Sequence, residues 1–461
     1  MVGTQDYDFG MMSGDNHSTD RQWTTIEELC DRHLGSRPSP AVLPILKSLE
    51  HERQEVRDFI ARIFQLMEIS HFDVKDLSPM MAGGMTVLPS ILPGAWGGMA
   101  PPVTQANRHA RIDTYLRSNP WASFAAGTVL LDLGCGFPPQ TSMDAAKSFP
   151  DWQIVGADPA FDEYILYDED GHYACLDARG RVRYFQPCGG NPASWEVLFN
   201  DSEATRRRFS EAFVQLARLL PPDDGQSAVV EQDGQRLVRH PLRSYETSNL
   251  KLLQAGFGSP SPQADVVRSF NVLMYFDEEF RLSADQWLAT VLRPGGLFVC
   301  GTGGPLEVRY AVYRKENDCL VEKEFAFGVE NIRPFAWVPW MCLHGGERET
   351  WRLAETVAIL RSDPQFLHGY NARLDTLLQE HGLMVREKSG FLAIPKDGLD
   401  PSQYFAANET IGRQMQEQFT DHAVAVLVRA GLHAWRNSAG HVAVGPQTPS
   451  SAESGHRLKG V

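Results

Sequence analysis

One run limits the possible folds more than any other: VLLDLGCGFPPQT at positions 129–141. A strand-length apolar stretch ends in two glycines one residue apart, and a helix-compatible segment follows. Gly134 and Gly136 let a backbone turn tightly and approach a ligand with no Cβ in the way. Taken alone, such a turn is also what an ordinary surface loop contains. Three later segments give it company. Asp158 closes the run WQIVGADP, 22 positions after Gly136, where a carboxylate can accept hydrogen bonds from ribose hydroxyls. The segment DVVRSFNVLMYF at 265–276 reads as a fourth strand and its turn, and LRPGGLFV at 292–299 as a Pro-Gly-Gly turn feeding a fifth. Strands at 128–133, 153–157, 265–270 and 296–301, with helical patterns between some of them, predict a parallel sheet covered on both faces.

In their order and spacing, LDLGCG (131–136), GADP (156–159), FNVLMYF (270–276) and LRPGGLFV (292–299) resemble the class I S-adenosylmethionine-dependent methyltransferases. The resemblance covers roughly residues 107–302 apart from an insert. It implies a Rossmann-like α/β sheet, here with an N-terminal helical cap and antiparallel β inserts, and S-adenosyl-L-methionine as cofactor. It also implies that Asp132, Leu133, Gly134, Cys135, Gly136, Asp158, Pro159, Phe270, Asn271 and Val272 line that cofactor, with Asp132 at its methionine end. A nicotinamide dehydrogenase needs a third glycine for close helix–strand packing; three positions after Gly136 stands Pro139. The chain departs from the family in Phe137-Pro138-Pro139, where small residues are usual. It also lacks a clear adenine-contacting acid after a third strand: Glu231 and Asp233 fall in a segment that reads as a hairpin turn. Asn271 has two readings, a pocket residue or a turn residue that satisfies its own backbone.

The formal charge of −15 argues against duplex nucleic acid, whose binding calls for clustered Lys and Arg. The seven cysteines (30, 135, 175, 188, 300, 319 and 342) include no C-x-x-C pair, so neither a disulfide framework nor a zinc knuckle is expected, and no metal. The polar start lacks a signal-peptide core, and no apolar run has membrane-spanning length; a cytoplasmic protein is expected.

Around the sheet, residues 1–106 read as a helical region and loop, 107–445 as the cofactor-binding domain with inserts at 160–260 and 305–370, and 446–461 as a flexible tail. Thr24 and Glu27 suggest a capping box. After Ser39-Pro40 one long helix is expected, carrying Val42, Leu46, Leu49, Val56, Ile60, Ile63 and Met67 on an apolar stripe. This stripe is expected to pack on its own domain rather than form a dimer seam. The Gly/Pro/Met-rich stretch 79–104 is expected to hold no regular element, and 107–117 a helix. Residues 164–187 alternate like an antiparallel meander. The stretch 79–104 and the aromatic segment 325–344 are candidates for covering the carboxyl edge of the sheet and the acceptor pocket.

A sulfonium cofactor carries its own leaving group, so the protein mainly positions the acceptor. Where the acceptor must lose a proton, Tyr275, His344 and His240 are the candidate bases. The DNA amino-methyltransferase motif is absent, since its position reads Ser269-Phe270-Asn271-Val272. NVLMYFDEE is only locally similar to chemotaxis-receptor glutamate methyltransferases. A small-molecule acceptor is therefore the first expectation, with a monomer or homodimer and no nucleic-acid or membrane partner. The alternatives are an enzyme using another part of the same cofactor, a protein methyltransferase, or a catalytically silent cofactor-sensing scaffold.

Overall fold

The computed structural model describes residues 23–91, 104, 106–188, 198–304, 307–334, 341–345, 347–398 and 401–446. Four helices open the chain: α1 (Ile26–His33), α2 (Leu43–Lys47), α3 (Gln54–Ile69) and α4 (Pro79–Ile91). The capping box sits one residue later than expected. Thr25 Oγ1 accepts from the Glu28 amide at 3.2 Å, and the Glu28 carboxylate accepts from the Thr24 amide at 2.8 Å. The single long helix is two, joined by a 3-10 turn at Ser48–His51 and broken where Glu52 turns extended. The stripe survives the break, because all seven of its apolar residues are buried within the chain.

The expectation of no regular element at 79–104 is also corrected. Pro79 occupies the first position of α4, where its missing N–H costs nothing. Ser78 Oγ accepts from the Met81 amide at 3.1 Å. Met81, Ala82 and Met85 are buried in the core that α4 shares with α2 and α3, and that burial outweighs the ~1 kcal/mol that each of Gly83 and Gly84 costs a helix. Residues 92–103 lie outside the described part.

The strands follow: β1 (Val129–Leu133), β2 (Gln153–Ala157), β3 (Tyr164–Tyr167), β4 (Tyr173–Leu176), β5 (Val182–Gln186), β6 (Ala228–Gln232), β7 (Gln235–Arg239), β8 (Leu250–Leu253), β9 (Ala264–Phe270), β10 (Leu292–Gly303), β11 (Val308–Glu316), β12 (Cys319–Phe327), β13 (Val385–Arg386), β14 (Leu392–Ala393), β15 (Ala434–Arg436) and β16 (Val442–Val444). Between them run α5 (Ala110–Ser118), α6 (Gln140–Ser148), α7 (Ser202–Ala217), α8 (Glu278–Val291), α9 (Arg348–Arg361), α10 (Pro364–Glu380) and α11 (Pro401–Arg429). The main sheet has nine strands in the order β15-β16-β12-β11-β10-β9-β1-β2-β8. From β8 to β10 neighbouring strands are parallel; from β10 onward they are antiparallel. This is a mixed α/β architecture compatible with a Rossmann-like fold.

The insert expected from 305 opens with β11 and β12, which extend the main sheet. The strand beside β2 is β8, and Glu231 and Asp233 lie, as expected, in the β6–β7 hairpin. The expected meander forms, and β5-β4-β3-β7-β6 make a second sheet packed on α7. One face of the main sheet packs Leu130, Ile154 and Val266 against α5 and α6; the other packs Leu131, Val267 and Phe298 against α8. Gly156 allows the close approach of α6, since a Cβ there would stand 2.5 Å from Ser142 Oγ. Among the described residues, no helix is long and apolar enough to cross a membrane.

Candidate functional site

The carboxyl ends of the parallel strands gather the residues singled out in the sequence. After β1, Gly134 and Gly136 take left-handed conformations, with φ of 70° and 71°. Gly134 donates to the Ala157 carbonyl at 2.8 Å, tying the turn to β2. A Cβ on Gly134 would lie 2.2 Å from Val272 Cγ2, so this glycine also admits the turn after β9. Leu133, Cys135 and Phe137 are buried beside it, and burial pushes the Cys135 thiol up, keeping it protonated. Asp158, 6% exposed, accepts from the Gly136 amide at 2.9 Å and the Ala160 amide at 2.8 Å. Burial pushes its carboxyl up to about 6, against the pull of those two amides. Pro159 meets the loop after β8 at Gly256.

Asp132 has a partner that the sequence reading missed. It lies opposite Arg268 in the β1–β9 register, and both are buried. Arg268 donates from Nε and Nη2 to the two Asp132 oxygens, each at 2.8 Å. Thr141 and Ser142 donate to the same carboxylate at 2.9 and 2.8 Å. Arg268 also pairs with buried Asp113 of α5. Burial opposes ionisation of Asp132, but Arg268 prevails and holds its carboxyl below the usual range. Asp132 therefore braces α6 and β9 behind the glycine turn. The signal was present: an Arg in an apolar strand (DVVRSF) and an Asp in its neighbour (VLLDLG) require each other in a dry interior.

Of the two readings of Asn271, the geometry matches the turn residue. Its φ is 59°, its side chain donates to the Gly303 carbonyl at 2.8 Å and accepts from the Gly303 amide at 3.2 Å. The amide clamps β9 to β10. Phe270 is buried, its ring 5.0 Å from that of His109 and 6.4 Å from that of Tyr310.

Two bodies pack on this edge. The N-terminal helices share a core with Met274 and Tyr275, just after β9, and with Met341, Cys342 and Leu343. The second sheet reaches the glycine turn: the Tyr173 hydroxyl donates to the Phe137 carbonyl at 3.2 Å, and the Phe137 ring lies 5.7 Å from that of Tyr173 and 6.0 Å from that of Tyr245. The segment 325–344, expected to act as a unit, is divided. Phe325 and Phe327 pack with the C-terminal helices, 341–343 join the N-terminal core, and 335–340 are outside the described residues.

The candidate bases do not converge. Burial pushes the Tyr275 phenol up, with the Arg108 guanidinium pulling the other way; it keeps its proton at neutral pH and is suited to donating. His344 is exposed, on a segment held by a bond from the Leu343 amide to the Met274 carbonyl at 3.2 Å. His240 lies in the second sheet's periphery, its ring 3.0 Å from Asp223. With Glu163 these two bring three potential metal-ligand atoms within 4.8 Å of one another, but the Arg239 guanidinium, 3.6 Å from Asp223, already supplies a cation.

Sequence reasoning also missed Arg108 and His109, which precede α5 at this same edge. The Arg108 Nε donates to the Gly303 carbonyl at 3.0 Å. His109 is 5% exposed. A lone His before a short helix carries no pattern from which this placement could be read.

No known family profile matches the chain, and no curated protein does. Among solved structures, an O-methyltransferase family 2 protein from Planctomyces limnophilus, in complex with apigenin, is similar at 15% identity with a TM-score of 0.21. The similarity covers 52% of this chain and 49% of that one, so about half the length of that protein is spanned.

Proposed function

We propose that the chain is an S-adenosylmethionine-dependent methyltransferase acting on a small-molecule acceptor. The observation that carries this reading is the coupling of Asp158 to the glycine turn. A carboxylate at the end of β2 is held 2.9 Å from the Gly136 amide at the end of β1. Ligands of open parallel α/β sheets bind at such carboxyl edges.

The residues present fit the cofactor in three respects. Gly134 and Gly136 turn the chain sharply at the carboxyl end of β1, in left-handed conformations that suit glycine. Asp158 keeps lone pairs beyond its two amide bonds for ribose hydroxyls. A buried imidazole at the same edge, His109, has neither ring nitrogen matched among the described residues. When bound, S-adenosylmethionine supplies a methyl group on a sulfonium sulfur, already activated for transfer. In this reading Gly134, Cys135, Gly136, Asp158 and Pro159 hold the nucleoside side, while Asp132, Leu133, Phe270, Asn271 and Val272 brace the walls. Tyr275 donates a hydrogen bond from its protonated phenol. The Tyr173 face of the second sheet and the N-terminal helices keep water from the edge.

Calorimetric titration with S-adenosylmethionine, S-adenosylhomocysteine and NAD tests the proposal. The first two are expected to bind and NAD not to; binding of NAD alone overturns it.

A further inference from the structure

His109 immediately precedes the nine residues of α5. This helix runs opposite to the parallel strands. At its far end Arg117 donates to the Ser148 carbonyl at 3.1 Å, near the close of α6, whereas at its start Arg108 donates to Gly303 at the end of β10. The helix N-terminus and His109 thus stand at the carboxyl edge, with Phe270 on one side of the imidazole.

The imidazole is buried, and neither Nδ1 nor Nε2 has a hydrogen-bond partner among the described residues. An unmatched N–H in a dry interior carries a desolvation cost. The charges facing this ring are Arg268, Asp132 and Arg108. Asp132 is engaged by Arg268, Thr141 and Ser142 and makes no hydrogen bond to His109. What remains is an N–H donor, the charges of Arg268 and Arg108 acting on the ring and the positive end of a helix dipole, a setting that favours an anion.

We infer that His109, at the N-terminus of α5, binds the carboxylate at the amino-acid end of the cofactor; this rests on the methyltransferase reading above. The ring donates one N–H to that carboxylate. It is a binding residue and takes no proton from the acceptor: burial and the two guanidinium groups keep the ring in its neutral form.

The test compares two ligands on the full chain. S-adenosylhomocysteine carries the amino-acid end, and 5′-methylthioadenosine has the same nucleoside thioether without it. By calorimetry, His109→Phe is expected to weaken S-adenosylhomocysteine binding about tenfold or more, and 5′-methylthioadenosine by less than about twofold. His109→Asn, which keeps a donor, is expected to recover part of the loss. In ¹⁵N-histidine NMR of the wild type, the His109 ring nitrogens are expected to shift on adding S-adenosylhomocysteine and not 5′-methylthioadenosine. The ring resonance, assigned by its absence in His109→Asn, keeps the test decisive if His109→Phe does not fold. Equal weakening of both ligands, weakening of neither, or a still ring resonance overturns the inference and leaves the cofactor reading standing. If the wild type binds neither ligand, both fall together.

Discussion

The parallel and antiparallel halves of the main sheet each bury a histidine, and the two are treated differently. In the antiparallel half, His441 Nδ1 lies 3.2 Å from the Tyr310 hydroxyl. Asn437 donates to that hydroxyl at 2.8 Å and to Glu324 at 3.1 Å, and Trp121 donates to Glu324 at 2.9 Å. These groups bond one another and clamp the loop after α5 to the β15–β16 hairpin. In the parallel half the nearby carboxylates are consumed by Arg268, and His109 has no such partner. One ring nitrogen of His441 is thus tied into the fold while its Nε2 has no partner among the described residues; for His109 both nitrogens lack one, and an imidazole with neither nitrogen engaged offers a ligand more than one already bonded.

The comparison breaks most severely at Arg268. Arg268→Met removes the cation from two buried carboxylates, and breaking such a group costs about 3–5 kcal/mol. A large fall in the denaturation midpoint, or loss of folded protein, is expected. A midpoint within error of the wild type would show that Asp113 and Asp132 are not held by this arginine.

Gly134→Ala comes next. It forces a Cβ into Val272 and into a left-handed conformation, and overpacking of this kind costs about 1–3 kcal/mol. Circular dichroism melting with S-adenosylhomocysteine titration should show a modest loss of stability and a large loss of binding. The control in the other half is Gly440→Ala in the β15–β16 turn, also left-handed, whose Cβ would stand 2.6 Å from Gln416 Nε2. It should destabilise comparably while any remaining folded protein still binds.

Much of this was legible beforehand, and the reason lies in range. The strands at 129–133, 153–157 and 264–270 announce themselves by short apolar runs with turn residues beside them, which is local information. Asp158 was readable because its distance from Gly136 follows from the length of one helix and one strand. By contrast, β8 has only four residues (Leu250–Leu253) and lies beyond the second sheet, so its place beside β2 is a tertiary fact. The helix at 79–91 was hidden because its glycines speak against it locally and its buried methionines speak for it only in context. Asn271 kept two readings in the sequence because the backbone group its side chain bonds, on Gly303, is 32 residues away.

Asp158 gives a smaller, pH-dependent effect. Asp158→Ala should weaken S-adenosylhomocysteine binding by about 1.5–3 kcal/mol, the worth of hydrogen bonds to a charged acceptor. Its folded pKa is raised to about 6, above that of the unfolded chain. The stability it contributes is therefore present at low pH and lost as pH rises through about 6. Binding runs the other way: the ionised form accepts from ribose, so affinity should fall as pH drops below about 6, roughly tenfold by pH 5. Calorimetry across this range should find a flat profile in Asp158→Asn. The same slope in that variant would assign the titration to another group.

The smallest effect tests the network of the antiparallel half. Trp121→Phe removes one donor to Glu324, and about 1 kcal/mol of stability is expected to go with it. Ligand binding at the other half should be unchanged. A binding defect there would mean that the two halves are not independent.

The order of strands also sets a timetable. β12 ends at Phe327, but its outer neighbour β16 spans Val442–Val444. During synthesis at about 5–20 residues per second, the ribosome therefore delivers the sheet's strands through β12 several seconds before β15 and β16, which cover its flank. In that interval Phe325 and Phe327 lie on an open edge, the kind of surface on which chains pair with one another. A nascent chain of this protein is most vulnerable to association late in its production, after the glycine turn and its sheet neighbours have already been made.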